Sequence, residues 1–430
     1  MLEAAPKHPY VLFQRTEGGP WWVRFSIRGE GQIRKRLGTS ERYEAERLAL
    51  EVWSDARHRN RIGLRCQIKS FSDVATEFIT LVKREAERGE RRPFQAYQFE
   101  HIIQRYYIGY FGDRDMDAIR TADIMRYWEW RRDYWLTGPG FAVKRIFYMR
   151  NGRQIGKDIT AAMRKSPSPG SQRAEAVVLR MLFKFAAKLG YIQDAHLPDV
   201  DVPRVLPNAR PSFEASEFTK LEQMSQLRLS DFELNEHVRR DRAILHAYIM
   251  IAAYTGMRPT ELKNLNWGDV LGYRETKDKQ IGLRDIRIQC RGKGKARRFV
   301  PLKAAVPWFD ILWMFWTKAM KADPADADPV FATPTGKRLC SVKKSLSELL
   351  KAAGLLTDHR GTRRTSYSFR HFYISQQLIA GVNVFLLAKN TGTSADMIDR
   401  FYADVKLERM HKELRPEWHD RTLSLEESGG

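Results

Sequence analysis

The chain has 430 residues, and at roughly 150 residues per domain that length predicts about three domains, each long enough to bury a core. Lys and Arg total 74 against 52 Asp and Glu, a formal net charge of +22 that points to a polyanionic partner: nucleic acid, an anionic membrane surface or acidic proteins. No uncharged run of about 18 apolar residues exists, which sets membrane-spanning helices aside.

Met1 to Tyr10 has neither an apolar segment nor a small-residue cleavage site, so it does not read as a secretory signal, and the expected location is the cytoplasm, nucleoid-associated if bacterial. Cys66, Cys290 and Cys340 are scattered, with no CxxC pair and no paired His spacing, which argues against a disulfide framework and against structural zinc. With 43% apolar and 11% aromatic residues, packed cores are expected instead of disorder.

Residues 1–68 read as a small antiparallel sheet and a helix. Val11 to Arg15, Trp21 to Ile27 and Gln32 to Leu37 are short β-type runs separated by Gly-rich turns. In the second run Trp21, Val23, Phe25 and Ile27 alternate with Trp22, Arg24 and Ser26, giving one apolar face. Ser40 is the expected N-cap of a helix whose Ala45, Leu48, Ala49, Val52 and Trp53 cover that face. Arg24, Arg34, Lys35 and Arg36 crowd the sheet, and a small sheet of this kind can enter a DNA major groove.

From 69 to 205 the pattern is helical. Ser70 and Asp73 form a reciprocal capping pair ahead of Phe71, Val74, Phe78 and Leu81. Further helices are predicted over Phe94 to Tyr107, Thr121 to Trp135 and Arg173 to Leu189, the last ended by Gly190. Gly138 to Ser171 breaks the periodicity and reads as a loop or an insertion. Leu197 to Pro211 carries four prolines and has linker composition. A mostly helical region at 206–415 follows, and 416–430 reads as a flexible tail. The fold class is therefore mainly α with small β elements (α+β).

Four features after residue 212 carry chemistry. In Tyr254-Thr-Gly-Met-Arg258-Pro-Thr-Glu261-Leu, Gly256 ends one helix and Pro259 opens the next, which places Arg258 where its guanidinium can face a phosphate, braced by Glu261. Residues 284 to 303 carry eight Lys and Arg against the single acid Asp285 and read as a β-hairpin through Gly292-Lys293-Gly294-Lys295. Arg291, Lys295, Arg297 and Arg298 on it are expected to bind DNA backbone. Ser366-Tyr367-Ser-Phe-Arg370-His371 puts Tyr367, Arg370 and Ile374 on one helical face. Finally Leu387-Ala-Lys-Asn-Thr-Gly392-Thr393-Ser-Ala-Asp396-Met-Ile-Asp-Arg-Phe-Tyr402 has Gly392 ending one helix, with Thr393 and Asp396 capping the next.

In this order, over about 145 residues, the four features resemble the catalytic domain of the tyrosine recombinase family, the phage-type integrases. TGMRPTEL is similar to the first arginine box, GKGKARRFVPL to the β-hairpin lysine segment, YSFRH to the second arginine box, and LAKNTGTSADMIDRFY to the box ending in the nucleophile. Upstream, Ile108-Gly-Tyr-Phe-Gly-Asp113 and Ile119 to Ile124 resemble the core-type DNA-binding domain. Arg34 to Ser40 resembles the arm-binding domains of some integrases. The resemblance implies three domains: arm-type DNA-binding over 1–68, helical core-type DNA-binding over 69–205 and catalytic over 206–415.

The resemblance also implies roles. Tyr402 would attack the scissile phosphodiester and form a 3′-phosphotyrosyl bond, Arg258 and Arg370 would hold the non-bridging oxygens, and Lys293 would protonate the leaving 5′-oxygen. Register from Val300-Pro-Leu302 favours Lys293 over Lys295. Neither ATP nor a divalent metal is implied, the partner is double-stranded DNA, and recombination runs on a homotetramer across two duplexes, with the free chain a monomer or not. Tyr367 and Thr393 stand where the family pattern commonly has His; each keeps a hydroxyl, but Tyr367 is no neutral-pH base. His371 is adjacent in sequence but points about 100° from Arg370 around a helix. The expected activity is DNA integration or excision of a mobile element. The alternatives are a regulator or accessory factor of the same fold that has lost cleavage, and a type IB topoisomerase-like enzyme.

Overall fold

A computed structural model describes residues 9–150, 153–204, 211–230, 235–292 and 295–400. The chain divides into two compact units, Met1–Pro207 and Asn208–Gly430.

The first unit opens with the antiparallel sheet β1 (Val11–Gln14), β2 (Trp21–Ile27) and β3 (Gly31–Arg36), in the order β1-β2-β3. Val23 and Phe25 point to a core closed by Ala45, Ala49 and Ala56 of α1 (Arg42–Arg61). Small alanines let this helix lie close on a small sheet. The cap differs from expectation: Glu41 holds the N-cap position without a side-chain bond. Ser40 is displaced because Thr39 does the work, its hydroxyl oxygen accepting from the Glu41 N–H (3.1 Å) and its O–H donating to Glu44 (2.6 Å).

The helical part of this unit comprises α2 (Phe71–Glu87), α3 (Pro93–Ile102), α4 (Ile108–Phe111), α5 (Thr121–Asp133) and α6 (Pro169–Lys188). Ser70 and Asp73 make the expected reciprocal cap (3.1 and 3.3 Å). The helix expected over Phe94 to Tyr107 runs on into α4 through a π-helical turn at Ile103–Tyr107, where aromatic bulk at Tyr106 and Tyr107 is packed into the core. The interval 138–171 is more than a loop. It holds a hairpin of β4 (Arg145–Arg150) and β5 (Arg153–Asp158), and α6 starts at Pro169 with Ser168 as N-cap, four residues earlier than the apolar spacing indicates. Val200, inside the proline-rich stretch, is buried against the helical core.

The second unit builds on α7 (Ala215–Leu227), α8 (Glu236–Thr255), α9 (Pro259–Lys263), β6 (Val270–Leu271), α10 (Tyr273–Thr276), β7 (Arg287–Gly292), β8 (Lys295–Phe299), α11 (Val306–Met320), α12 (Lys343–Ala352), α13 (Ser368–Ile379) and α14 (Val384–Thr391). Helix α8 runs through the core, with Ile244 to Ala253 buried all round. The expected hairpin is β7–β8, and its inward positions are Ile286, Ile288 and Cys290. A short third strand, β6, pairs outside β7. Among the described residues no helix is long and apolar enough to cross a membrane.

Candidate active site

Four helix ends and one strand of the second unit converge on a single buried carboxylate. Helix α8 stops at Gly256, which takes the left-handed conformation (φ 61°). A Cβ there would collide with the Tyr373 ring, so only glycine fits the turn. Two residues on, Pro259 opens α9 and Arg258 is its N-cap residue. Glu261 accepts from the Arg258 backbone N–H (3.0 Å) and from Arg258 Nη1 (2.7 Å), while Arg297 Nη2 reaches its other face at 2.8 Å. Burial pushes the Glu261 carboxyl up, but the Arg258 hydrogen bonds and the Arg297 charge prevail and hold it below the ordinary glutamate value.

Arg370, on the first turn of α13, is 3% exposed and donates Nη1 to the Gly256 carbonyl at 2.7 Å. Burial, then repulsion from Arg258, lowers its pKa to about 10, so the guanidinium stays charged at neutral pH. Arg258 and Arg297 thus share the Glu261 carboxylate while Arg370 holds the Gly256 carbonyl, and three guanidiniums stand against one carboxylate. Arg258 is the open member, with 29% of its side chain exposed. Its Nη2 donates to the Gly392 carbonyl, which ties α9 to the end of α14. Gly392 is left-handed (φ 66°), and a Cβ on it would strike Arg297 Nε.

Arg297 was expected on the outer, DNA-facing side of the hairpin and is instead an internal brace. It lies opposite Cys290 in the ladder, so it shares the inward face, and its Nη1 donates to the Asn390 carbonyl at 2.5 Å. The period-2 alternation from Ile288 and Cys290 through Phe299 was the signal that could have found it. Arg298, one residue on, faces out and donates to Gln289 at 3.2 Å. Asn390, which sequence reasoning missed, pairs its side-chain amide with both backbone groups of Val300 (3.0 and 3.2 Å) and fixes α14 to the end of β8. Burial raises the pKa of the Cys290 thiol to about 12, which keeps it unreactive behind the site.

Tyr367 is the residue before α13, half-buried, with its ring 5.6 Å from that of His371. The Tyr367 carbonyl accepts from the Arg370 N–H at 3.1 Å, which places the two residues one turn apart at the start of α13. Thr393 is half-buried beside Gly392 but does not cap the next helix. Residues 395–400 are helical, and Ser394 is the cap, its Oγ accepting from the Met397 N–H at 3.2 Å. Tyr402 and Lys293 lie outside the described residues, as do the side chains of Arg291 and Lys295. Among the described residues no group of three or more His, Cys, Asp or Glu side chains is placed to hold a metal ion.

In the first unit Arg24, Arg34 and Arg36 share the outer face of the sheet with Trp22. Lys35 lies opposite Val23 and so projects from the other face. Arg15 stacks on Trp22 at 3.9 Å, and Phe13 stacks beside the same ring. A face of guanidiniums and flat rings suits nucleic acid.

Residues 221–409 match the model of the phage integrase family. That stretch of the second unit is therefore similar to the phage integrase family. A comparison of the whole sequence with curated proteins gave no match. In architecture the chain is similar to a lambda integrase dimer bound to a COC′ core site, at 15% identity, 93% of this chain, 95% of that one and a TM-score of 0.53. It is similar to a lambda integrase tetramer bound to a Holliday junction at 15% identity, 93% and 96% coverage and a TM-score of 0.51. A XerH site-specific recombinase bound to a palindromic difH substrate is matched at 16% identity over 57% of this chain and 66% of that one, with a TM-score of 0.41. The two lambda integrase likenesses establish the fold of this chain, mainly helical with small antiparallel sheets.

Proposed function

We propose that this chain is a site-specific DNA recombinase, an integrase that cleaves and rejoins strands through a covalent 3′-phosphotyrosyl intermediate, integrating or excising a mobile element. The observation that carries the reading is the charge imbalance at Glu261: Arg258 and Arg297 pair with this carboxylate, Arg370 adds a third guanidinium at the Gly256 carbonyl, and Arg258 is open to a ligand. A diester phosphate brings one negative charge, and the five-coordinate transition state brings more. Preorganised guanidiniums therefore bind the transition state more tightly than the ground state.

In the proposed step the Tyr402 oxygen attacks phosphorus in line, the phosphorus to 5′-oxygen bond breaks, and the electron pair leaves on that oxygen. Lys293 supplies the proton that makes it a hydroxyl, and the phenol passes its own to solvent water as it attacks. Arg258 and Arg370 hold the non-bridging oxygens, with the hydroxyls of Tyr367 and Thr393 as further donors. Glu261 and Arg297 position Arg258, and His371 packs against Tyr367. Rejoining reverses the step, and because the phosphotyrosyl bond conserves the energy of the broken diester, no nucleotide is consumed. Tyr402 lies two residues beyond the described helical residues 395–400, and its role rests on the sequence resemblance. We infer that the substrate is double-stranded DNA and that recombination proceeds on a tetramer, as with the lambda integrase tetramer bound to a Holliday junction.

A second reading, a DNA-binding regulator without cleavage, draws on Tyr367 and Thr393 at positions where an imidazole is common in the family. A nicked suicide substrate separates the two. The recombinase forms a denaturation-resistant protein–DNA adduct, and Tyr402→Phe abolishes it. DNA binding without an adduct, or an adduct that survives Tyr402→Phe, rejects the proposal.

A further inference from the structure

The hairpin β4–β5 belongs to neither the sheet nor the helical core of the first unit. Residues 138–165 carry seven Lys and Arg against the single acid Asp158. The base of the hairpin is firmly built. Gly140 packs on the Tyr134 ring and donates to the Tyr134 carbonyl at 2.9 Å, a contact a Cβ would block. Arg164 closes the base by donating to the carbonyls of Phe141 and Val143 and stacks on Phe141.

The ribbon itself has two unlike faces. Ile146, Tyr148 and Ile155 are half-buried on one. On the other stand Arg145, Phe147 and Met149, the last two each 54% exposed. Gly156 lies opposite Phe147, and a Cβ there would strike Arg145 Nε, so glycine lets Arg145 lie flat across the partner strand. Its guanidinium sits 5.9 Å from the Phe147 ring and 3.4 Å from Asp158. Arg153 and Lys157 are exposed on β5.

We propose that this hairpin is an additional DNA-contact element, a basic ribbon that engages duplex outside the contacts of the sheet and of the Glu261 site. The proposal rests on the recombinase reading for its ligand. Each strand has six residues, about 20 Å at 3.3 Å per residue, long enough to cross a major groove about 12 Å wide that admits a two-stranded ribbon. Net charge decides the occupant: a surplus of six positive charges in 28 residues complements phosphate, whereas three exposed apolar side chains, Phe141, Phe147 and Met149, are too few for a protein interface.

The test uses the full chain and a fluorescent 40-bp duplex of mixed sequence over a range of salt concentrations. Replacing Lys144, Arg145, Arg153 and Lys157 together by Gln is expected to reduce the log–log salt slope by about 2–4 and to weaken binding at least about tenfold, since each lost phosphate contact removes about 0.9 from the slope. A photo-crosslinking residue in place of Phe147 is expected to trap the DNA. An unchanged slope with no crosslink, or a crosslink only to a second copy of the chain, overturns the proposal. Wild-type chain that binds duplex but gives no suicide-substrate adduct sinks the recombinase reading and leaves the ribbon intact.

Discussion

Each unit buries a carboxylate among arginines, and the two clusters are built differently. In the first, Arg131 and Glu175 meet fork to fork at 2.9 and 2.7 Å, each side chain 5% exposed. Arg131 stacks on Tyr106 at 3.6 Å, and Tyr107 donates its hydroxyl to the Glu175 carbonyl. One positive charge meets one negative charge inside an aromatic box. In the second, Glu261 pairs with two arginines, a third guanidinium sits on the Gly256 carbonyl, and Arg258 is partly open. Burial of charge alone therefore does not mark a functional site; an unbalanced cluster with access to solvent does.

If the first cluster is structural, breaking it should give the largest stability effect of those considered. Glu175→Leu leaves Arg131 buried without a counter-charge and should cost about 3–5 kcal/mol, with most of that recovered by adding Arg131→Met. Urea unfolding of the full chain measures both. A loss below about 1 kcal/mol would mean that the box is looser than its geometry shows.

The second cluster should answer in rate. Arg370→Lys keeps the charge but loses the planar fork that holds the Gly256 carbonyl and a phosphate oxygen together. Adduct formation in a single turnover should slow by about 10²–10³-fold, the usual size for removing one preorganised donor. A rate within about threefold of wild type would remove Arg370 from the proposed transition-state contacts.

What could be read from the sequence divides along the same line. Local devices were legible: the Ser70–Asp73 cap, the Gly256–Arg258–Pro259 helix junction and the alternation of Ile286, Ile288 and Cys290 each depend on neighbours within a few residues. Long-range ties were not. Asn390 meets Val300 across 90 residues, and Arg297 turns inward because of its cross-strand partner Cys290, not because of its own neighbours. Charge density alone placed Arg297 on the outer surface. The hairpin at 145–158 was hidden because basic residues and Gly156 dilute the strand pattern. Thr393 and Ser394 are both good caps, and one-residue register is beyond what cap preference can decide.

Gly392→Ala probes one of those long-range ties. The left-handed backbone costs a non-glycine residue about 1–2 kcal/mol, and the new methyl group would push on Arg297 and so on Glu261. A drop of that size in stability is expected, together with slower adduct formation. A variant that is destabilised but cleaves at the wild-type rate would show that the Gly392–Arg258 tie is not needed to aim Arg258.

The smallest predicted effect is also the one that separates the clusters by sign. Glu261 is held below the ordinary glutamate value of about 4.3, so its contribution to stability is present above that pH and is lost as pH falls through the folded value. Burial pushes Glu175 above its ordinary value despite Arg131, so its contribution is full below about pH 4.3 and is lost as pH rises through the folded value. Melting temperatures should therefore diverge: between about pH 7 and 3 the wild-type advantage over Glu261→Gln shrinks toward acid, while its standing relative to Glu175→Gln improves. Each pKa unit is worth about 1.4 kcal/mol, which calorimetry resolves. Parallel trends in the two variants would mean that both carboxylates answer to the same balance of burial and pairing, and the contrast between a closed ion pair and an unbalanced anion site would fail.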